Sequence, residues 1–456
     1  MAETKIIVLD DDPTGSQTVH SCLLLTRWDV ATLKVGLQDV APLFFVLTNT
    51  RGMDANSAET LTREVCINLK QALAEMAAAG REINPLVVSR SDSTLRGHYP
   101  VETDVIAEEL GPFDAHFMVP AFFEGGRITK DSVHYLVVDG EPVPVHETEF
   151  AQDSVFGYQH SYLPDYVEEK TRGRIKADEV VRFELYDVRN DSLARLMNLS
   201  GNQCCVVDSE NQQDLNHFCG QLMQTAALGK RFLFRSAASL LTALANLPTQ
   251  PVRAKEMAQY VRDHKPGAVI VGSHVQKTTQ QLNVLLSQPG IEAVEVDVER
   301  IASDPNLLDN IIEKITSIHQ AGINVVIYTS RTEKTFATQA ERLAFGGCVS
   351  DFLMAVVSNL PKTLGFLISK GGITSNDVLS TGLSLRTSRV VGQILPGCSV
   401  VCCPHDHPRY PDLPVVIFPG NVGDEQSLAK AYQYLALTSA SAGNAAEPIS
   451  SIAEVR

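Results

Sequence analysis

The sequence predicts an α/β protein of two domains, each with a largely parallel sheet flanked by helices, and an active-site cleft between them. Short apolar runs alternate with stretches of helical period along most of the chain, which is the pattern of βαβ units. Length supports the division, because 456 residues exceed one ordinary core and at roughly 100–200 residues per domain make two or three. The break falls at Leu247-Pro248-Thr249-Gln250-Pro251, where two prolines interrupt the pattern between helical stretches. These features divide the chain into residues 1–247, residues 248–437 and an Ala- and Ser-rich tail, 438–456, expected to be flexible.

The first strand, 6–9, runs into Asp10-Asp11-Asp12-Pro13-Thr14-Gly15-Ser16, three carboxylates followed by a turn of small, hydroxyl-bearing residues. Three adjacent like charges repel and desolvate badly, so they need a counter-charge or a metal. In an open α/β sheet the crevice beyond a strand's carboxyl end is where ligands bind. Apolar runs at 22–25 and 43–47 follow, the second ending in Thr48-Asn49-Thr50-Arg51-Gly52. Asn56 and Glu59 read as a capping box, opening a helix whose stripe is Leu61, Val65, Leu69, Leu73 and Met76. A strand at 86–89 runs into Arg90-Ser91-Asp92-Ser93-Thr94-Leu95-Arg96-Gly97, followed by a helix over 101–110 and a strand over 116–119. Residues 123–185 break the rhythm and read as an insertion packed beside the sheet. Alternation then resumes with a strand at 204–208, a helix at 212–228 and a strand at 232–234. Beyond the linker, strands are expected at 268–271, 293–296, 325–328, 364–369, 400–403 and 415–418. Helices are expected at 279–286, 306–320 and 378–383, with two more between Lys334 and Leu360.

A net charge of −16 argues against generic binding to nucleic acid or an anionic membrane. Nine cysteines form no framework and no signal peptide precedes the first strand, so a reducing cytoplasm is expected. No apolar run approaches the ~20 residues that cross a bilayer. Cys398, Cys402, Cys403, His405 and His407 are dense, yet adjacent cysteines suit a single tetrahedral metal poorly.

Chemistry gathers at strand ends. In the first part Asp10 to Thr14, Thr48 to Gly52 and Arg90 to Gly97 offer carboxylates, hydroxyls and the cations Arg51, Arg90 and Arg96. Arginine's planar fork suits a carboxylate ligand, and a facing Asp can hold or deprotonate a hydroxyl. This combination suits a small hydroxy acid. In the second part Gly272-Ser273, Gly371-Gly372-Ile373-Thr374 and Pro419-Gly420-Asn421-Val422-Gly423 follow strands. Such glycines let backbone amides approach phosphates. Neither the Walker pattern nor the dinucleotide-binding GxGxxG after the first strand is present.

Together these motifs resemble the four-carbon acid sugar kinases, over about residues 6–434. The family's Asp-Asp-x-Thr-Gly turn is similar to Asp11-Asp12-Pro13-Thr14-Gly15, and its substrate arginine to Arg51. Its Lys-x-Asp-Ser-Thr-x-Arg-Gly loop resembles Arg90 to Gly97, with Arg90 in place of lysine. Pro120-Ala121-Phe122, Gly126-Arg127-Ile128-Thr129, Glu147-Thr148, Gly272-Ser273, Gly371 to Thr374 and Gly420 to Gly423 also match in order. Phe418-Pro419 departs from the family's usual Lys-Ser, and Asp10 is an added acid.

The resemblance implies an N-terminal substrate-binding domain, a C-terminal nucleotide-binding domain, and ATP-dependent phosphorylation of the terminal hydroxyl of a sugar acid of the threonate, erythronate or 3-oxo-tetronate type. It implies Asp11 and Asp12 as catalytic residues, and Asp11, Arg51, Arg90, Ser91, Asp92 and Ser93 as substrate-binding ones. Ser273, Gly371, Gly372, Ile373, Thr374 and Gly420 would cradle the nucleotide, and a carboxylate near the base would meet Mg²⁺. A homo-oligomer is compatible with the sequence. Two rival readings are a nicotinamide-dependent hydroxy-acid dehydrogenase, against which the missing glycine fingerprint counts, and a non-catalytic bilobal sensor of small acids.

Overall fold

The computed structural model describes residues 3–273, 275–331, 338–420 and 422–436. His274, Lys334, Asn421 and the expected tail 438–456 lie outside the described residues. The first part contributes strands β1 (Glu3–Asp10), β2 (Cys22–Leu25), β3 (Leu43–Leu47), β4 (Ile83–Arg90) and β5 (Ala115–Val119). Strands β6 (Arg127–Lys130), β7 (Val133–Val138) and β8 (Glu141–Pro144) form a separate antiparallel sheet, and β9 (Val181–Phe183), β10 (Gln203–Val207) and β11 (Phe232–Ser236) return to the main one. The second part adds β12 (Ala268–Val271), β13 (Ile291–Val296), β14 (Asn324–Thr329), β15 (Leu367–Lys370), β16 (Thr387–Leu395), β17 (Cys398–Cys402) and β18 (Pro414–Phe418).

Among the described residues fifteen of these strands form one sheet, in the order β13-β14-β12-β15-β18-β17-β16-β2-β3-β1-β4-β11-β5-β10-β9. Its two flanks are the predicted parallel sheets, running from β13 to β18 and from β2 to β9. The two strands between them, β16 and β17, make three antiparallel pairings in a row: β18 with β17, β17 with β16, and β16 with β2. The parallel flanks therefore run in opposite directions. Six steps separate β1 from β15; at roughly 20–25° of twist each they rotate one flank well past a right angle to the other.

Alternation along β1 puts Ile6 and Val8 on one face, with Phe45, Val88, Phe117 and Phe234. Ile7 and Leu9 face the other way, against Val65, Leu69 and Met76 of the helix Ala55–Ala78. That helix starts earlier than predicted. Its cap is Asp54, whose carboxylate accepts from the amides of Asn56 and Ser57, so Asn56 already lies inside the first turn. Strand β16 is absent from the sequence expectation, and the predicted helix at 378–383 begins at Gly372 and ends in a π turn, Val378–Gly382. The linker is clasped to β16: Gln250 accepts from the Gln393 amide at 2.7 Å and donates to its carbonyl at 3.1 Å. No described helix is long and apolar enough to cross a membrane.

Candidate active site

The acidic turn divides its three carboxylates among three environments. Asp10 is fully buried. Arg90 Nη1 lies 3.3 Å from its Oδ1, and its Oδ2 has no hydrogen-bond partner among the described residues. Burial pushes the carboxyl up to about 8 against the pull of Arg90, helped by the like charges of Asp11 and Asp12. The same crowding dictates Gly15, where a Cβ would stand 2.1 Å from Asp10 Oδ2.

Asp11 is also buried, gripped by Arg51 through Nε at 3.1 Å and Nη2, and by the Ser91 hydroxyl at 2.8 Å. Asp12 is the open one, with a fifth of its side chain exposed against 2% for Asp11. Its Oδ1 accepts from the Thr14 amide at 2.8 Å and from the Thr14 hydroxyl. Its Oδ2 is left 3.4 Å from Arg51 Nη1. Burial alone would raise this carboxyl, but Arg51, Arg90 and the Thr14 hydrogen bonds outweigh it and hold it below its ordinary value.

The loop after β4 closes the acceptor side. Arg90 is turned inward onto Asp10, and Ser91 onto Asp11. Asp92 accepts from Arg96 Nε at 2.8 Å and lies 3.9 Å from Arg51 Nη1. Desolvation opposes the charge on Asp92, yet these two arginines keep it well below the usual carboxylate range. The insertion over 123–185 holds this loop by its main chain. His134 Nε2 lies 2.7 Å from the Ser93 carbonyl, and the hydroxyls of Tyr158 and Tyr166 donate at 2.7 Å to the Thr94 and Leu95 carbonyls. Gly97, at φ +122°, lets the loop turn where a Cβ would come within 2.3 Å of Ser91 Oγ.

Two charged residues here escaped the sequence reading. Glu102 is buried and accepts from Thr50 Oγ1 at 2.5 Å. Burial and the nearby Asp11 raise its pKa. Arg235, at the end of β11, is 1% exposed. Its Nη2 donates to the Arg96 carbonyl at 3.1 Å, while Nε and Nη1 have no partner among the described residues. An arginine continuing the apolar run Phe232-Leu233-Phe234 was the available signal.

On the other flank the loops after β12, β15 and β18 lie side by side. A Cβ at Gly272 would meet Thr374 Oγ1 at 2.6 Å, and one at Gly371, whose φ is +117°, would meet Thr374 Oγ1 at 3.2 Å and Ser273 Cβ at 3.5 Å. Ser273, Gly371 and Thr374 are thus brought together. Ile373 is 72% exposed. A Cβ at Gly420 would meet nothing within 4 Å, so space opens there. Two cations rest on main-chain carbonyls: Lys370 on Pro419 and Gly420, and Arg331 on Ser273 at 2.7 Å and Thr329 at 2.9 Å. The flanks touch at the point of interest, because a Cβ on Gly372 would lie 3.4 Å from Asp12 Oδ2. Acceptor-side carboxylate and donor-side glycine loop face each other across a contact of one atom's width.

Residues 6–244 match the family described as a sugar-binding N-terminal domain, and residues 268–428 the one described as a nucleotide-binding C-terminal domain. The chain is 24% identical over 449 residues to a D-threonate kinase of Salmonella typhimurium, covering 94% of this chain and 98% of that protein. It is 28% identical over 222 residues to a D-erythronate kinase of Heliobacterium modesticaldum, about 47% of each chain. Among solved structures, one from Salmonella typhimurium LT2 superposes with a TM-score of 0.69 at 19% identity, covering 94% of this chain and 98% of that one. A Haemophilus influenzae protein of the DUF1537 family gives 0.64 at 16% identity, covering 94% and 100%. At these identities the two structures speak for the fold.

Proposed function

Since this chain belongs to the four-carbon acid sugar kinase family and is a carbohydrate kinase, we propose that it transfers the γ-phosphoryl group of ATP to the terminal hydroxyl of a four-carbon sugar acid. Relatives named for D-threonate and D-erythronate support that substrate class. Residues 1–247 hold the acid in this reading, and residues 248–437 the nucleotide. The observation that carries it is the approach of Asp12 to Gly372. A proton acceptor on one flank thereby meets the expected phosphate loop on the other, and phosphoryl transfer needs such positioning more than covalent help.

Asp12 is the base, because it is the most exposed carboxylate of the turn, its Oδ2 is held only by a long 3.4 Å contact to Arg51 Nη1, and its pKa is held low, so it is ionised when the hydroxyl arrives. Asp11 is a positioning residue that locks Arg51. Arg51, with Asp92 and Ser93, holds the acid and its hydroxyls, while Arg90 and Ser91 act through Asp10 and Asp11. Ser273, Gly371, Gly372, Thr374 and Gly420 line the nucleotide side, and Ile373 contributes its backbone.

Mg²⁺ fits this arrangement. Among the described residues no group of three His, Cys, Asp or Glu side chains holds a metal unaided, but a phosphate-borne Mg²⁺ takes one or two protein carboxylates, and the acidic turn that would supply one beside the base lies against the phosphate side at Gly372. Bound there, it supplies charge compensation for the transferring phosphate. The test is ADP release by the purified protein with ATP, Mg²⁺ and a panel of threonate, erythronate and oxo-tetronates. Release with one of them supports the reading. A ligand-induced thermal shift with no ADP from any acid would remove it in favour of a sensor.

A further inference from the structure

The loop after β18 is held from below by two buried side chains. Lys370, the last residue of β15, is wholly buried and donates to the carbonyls of Pro419 at 2.5 Å and Gly420 at 3.0 Å. Gln281, on the helix Gln276–Leu286 and equally buried, donates through Nε2 to the carbonyls of Val422 at 3.1 Å and Asp424 at 2.7 Å. The C=O and N–H of one peptide plane point opposite ways. The Pro419 carbonyl drawn onto Lys370 therefore turns the amide of Gly420 away from it, beside the open space at Gly420, and the Val422 carbonyl drawn onto Gln281 turns the amide of Gly423 away from Gln281. Amides presented in this way form an anion-binding concavity.

The charge beneath them is unbalanced. Among the described residues Lys370 forms no ion pair with a carboxylate; the ionisable groups near it are the Cys398 thiol and Lys277, and its ammonium lies 4.6 Å from the centre of the Phe418 ring. Burial pushes the ammonium down to about 7. A buried ammonium is costly without an anion, and here only neutral carbonyls, a ring face and an unspent N–H are in place. The flanking helix adds a buried hydroxyl, Thr278 Oγ1, with no hydrogen-bond partner among the described residues and able to donate to an anion. These features are unexplained by folding alone and make sense together if a polyanion sits over the loop.

We propose that Lys370 is the cation of the polyphosphate site: it fixes the loop after β18 with its amides outward and sets a preference for nucleotides by their number of phosphates. The proposal rests on the kinase reading above and extends it to a residue outside the glycine motifs. Lys370→Gln keeps donors for the two carbonyls and removes the charge, so it isolates the electrostatic part.

Calorimetric titration of wild type and variant with ATP, ADP and adenosine, free of acceptor, reads the effect directly. The expected result is a weakening of about 30-fold for ATP, less for ADP, and less than about 2-fold for adenosine. Equal affinity of variant and wild type for ATP overturns the proposal, and so does an equal loss for ATP and adenosine, which marks a structural role. If wild type itself binds ATP no better than adenosine, the kinase reading fails instead. Lys370→Arg, which retains the charge, is expected to keep the ATP-to-adenosine ratio. Should the variants not fold, hydrogen exchange on the wild type decides. ATP must protect the peptide containing Gly420 and Gly423 while adenosine leaves it unchanged, and a lack of that difference overturns the proposal.

Discussion

The two flanks of the candidate site handle charge in opposite ways. On the acceptor flank the arginines of the first two strand-end loops are matched to carboxylates, Arg51 to Asp11 and Asp12, Arg90 to Asp10 and Arg96 to Asp92, while Arg127 and Arg235 rest on main-chain carbonyls. On the donor flank Lys370 and Arg331 lie on main-chain carbonyls and, among the described residues, form no ion pair. A flank whose loop arginines are tied to carboxylates offers shape and a fixed proton acceptor, which suits a small monoanion whose hydroxyl must be aimed. An uncompensated flank offers charge, which suits a polyphosphate. In a chain of net charge −16 the second arrangement also explains how an anionic ligand is drawn against the overall field.

The comparison is broken most severely at Asp12. Asp12→Asn is expected to lower kcat by about 10²–10⁴-fold while the thermal midpoint stays near wild type, because the side chain is partly exposed and Asn still accepts from Thr14. Near-normal turnover would take the base away from this flank. Next comes Arg51→Lys, which forfeits the two-pronged grip on Asp11; a rise in KM for the sugar acid of about 10–100-fold is expected, with KM for ATP little changed. Equal increases for both substrates would mean that the flanks are not separable.

Two smaller effects probe how tightly the acceptor flank is built. Gly15→Ala forces a methyl group against the buried Asp10 carboxylate and is expected to destabilise by about 1–3 kcal/mol, read from urea unfolding. Asp10 itself gives a signature in pH. Its carboxyl is pushed up to about 8 in the fold from an ordinary 3.8, so between those values the folded chain holds a proton that the unfolded chain has released. Stability then falls as pH rises through this window. Asp10→Asn is expected to flatten that slope, gaining on the order of 1–2 kcal/mol over wild type above about pH 8 and little near pH 4. A parallel shift at all pH values would show that Asp10 ionises normally.

What could be read from sequence was what sits at strand ends. Asp11, Arg51, Asp92, Gly371 and Thr374 follow apolar runs directly, so their placement beyond the sheet needed only strand periodicity. Glu102 and Arg235 were not legible. Glu102 reads as one acid among several on the helix Val101–Leu110, and only its tertiary neighbour Thr50 reveals that it is inside. Strand β16 was hidden by its own irregularity. Gly392, at φ +145°, accompanies a register shift after Val390, and the position is packed against Gln250 of the linker. Without that strand the two flanks read as separate sheets. The cap at Asp54 was missed for a local reason, since Asn56 and Asp54 are both good caps and the choice rests on the preceding turn at Arg51.

The pairing of β16 with β2, Thr387↔Leu25 to Val390↔Cys22, has a mechanical consequence. A protein whose halves hang on a flexible tether swings like a door. Here the halves share one ribbon of hydrogen bonds, so the axis of any relative motion lies along the ribbon itself, and Asp12 and Gly372 would part and return by unwinding rather than by folding over. Such a ribbon resists with a torque in proportion to the angle wound, and it returns to its resting pitch when the load is removed. Return to that contact after each turnover would then be driven by the backbone that spans the molecule.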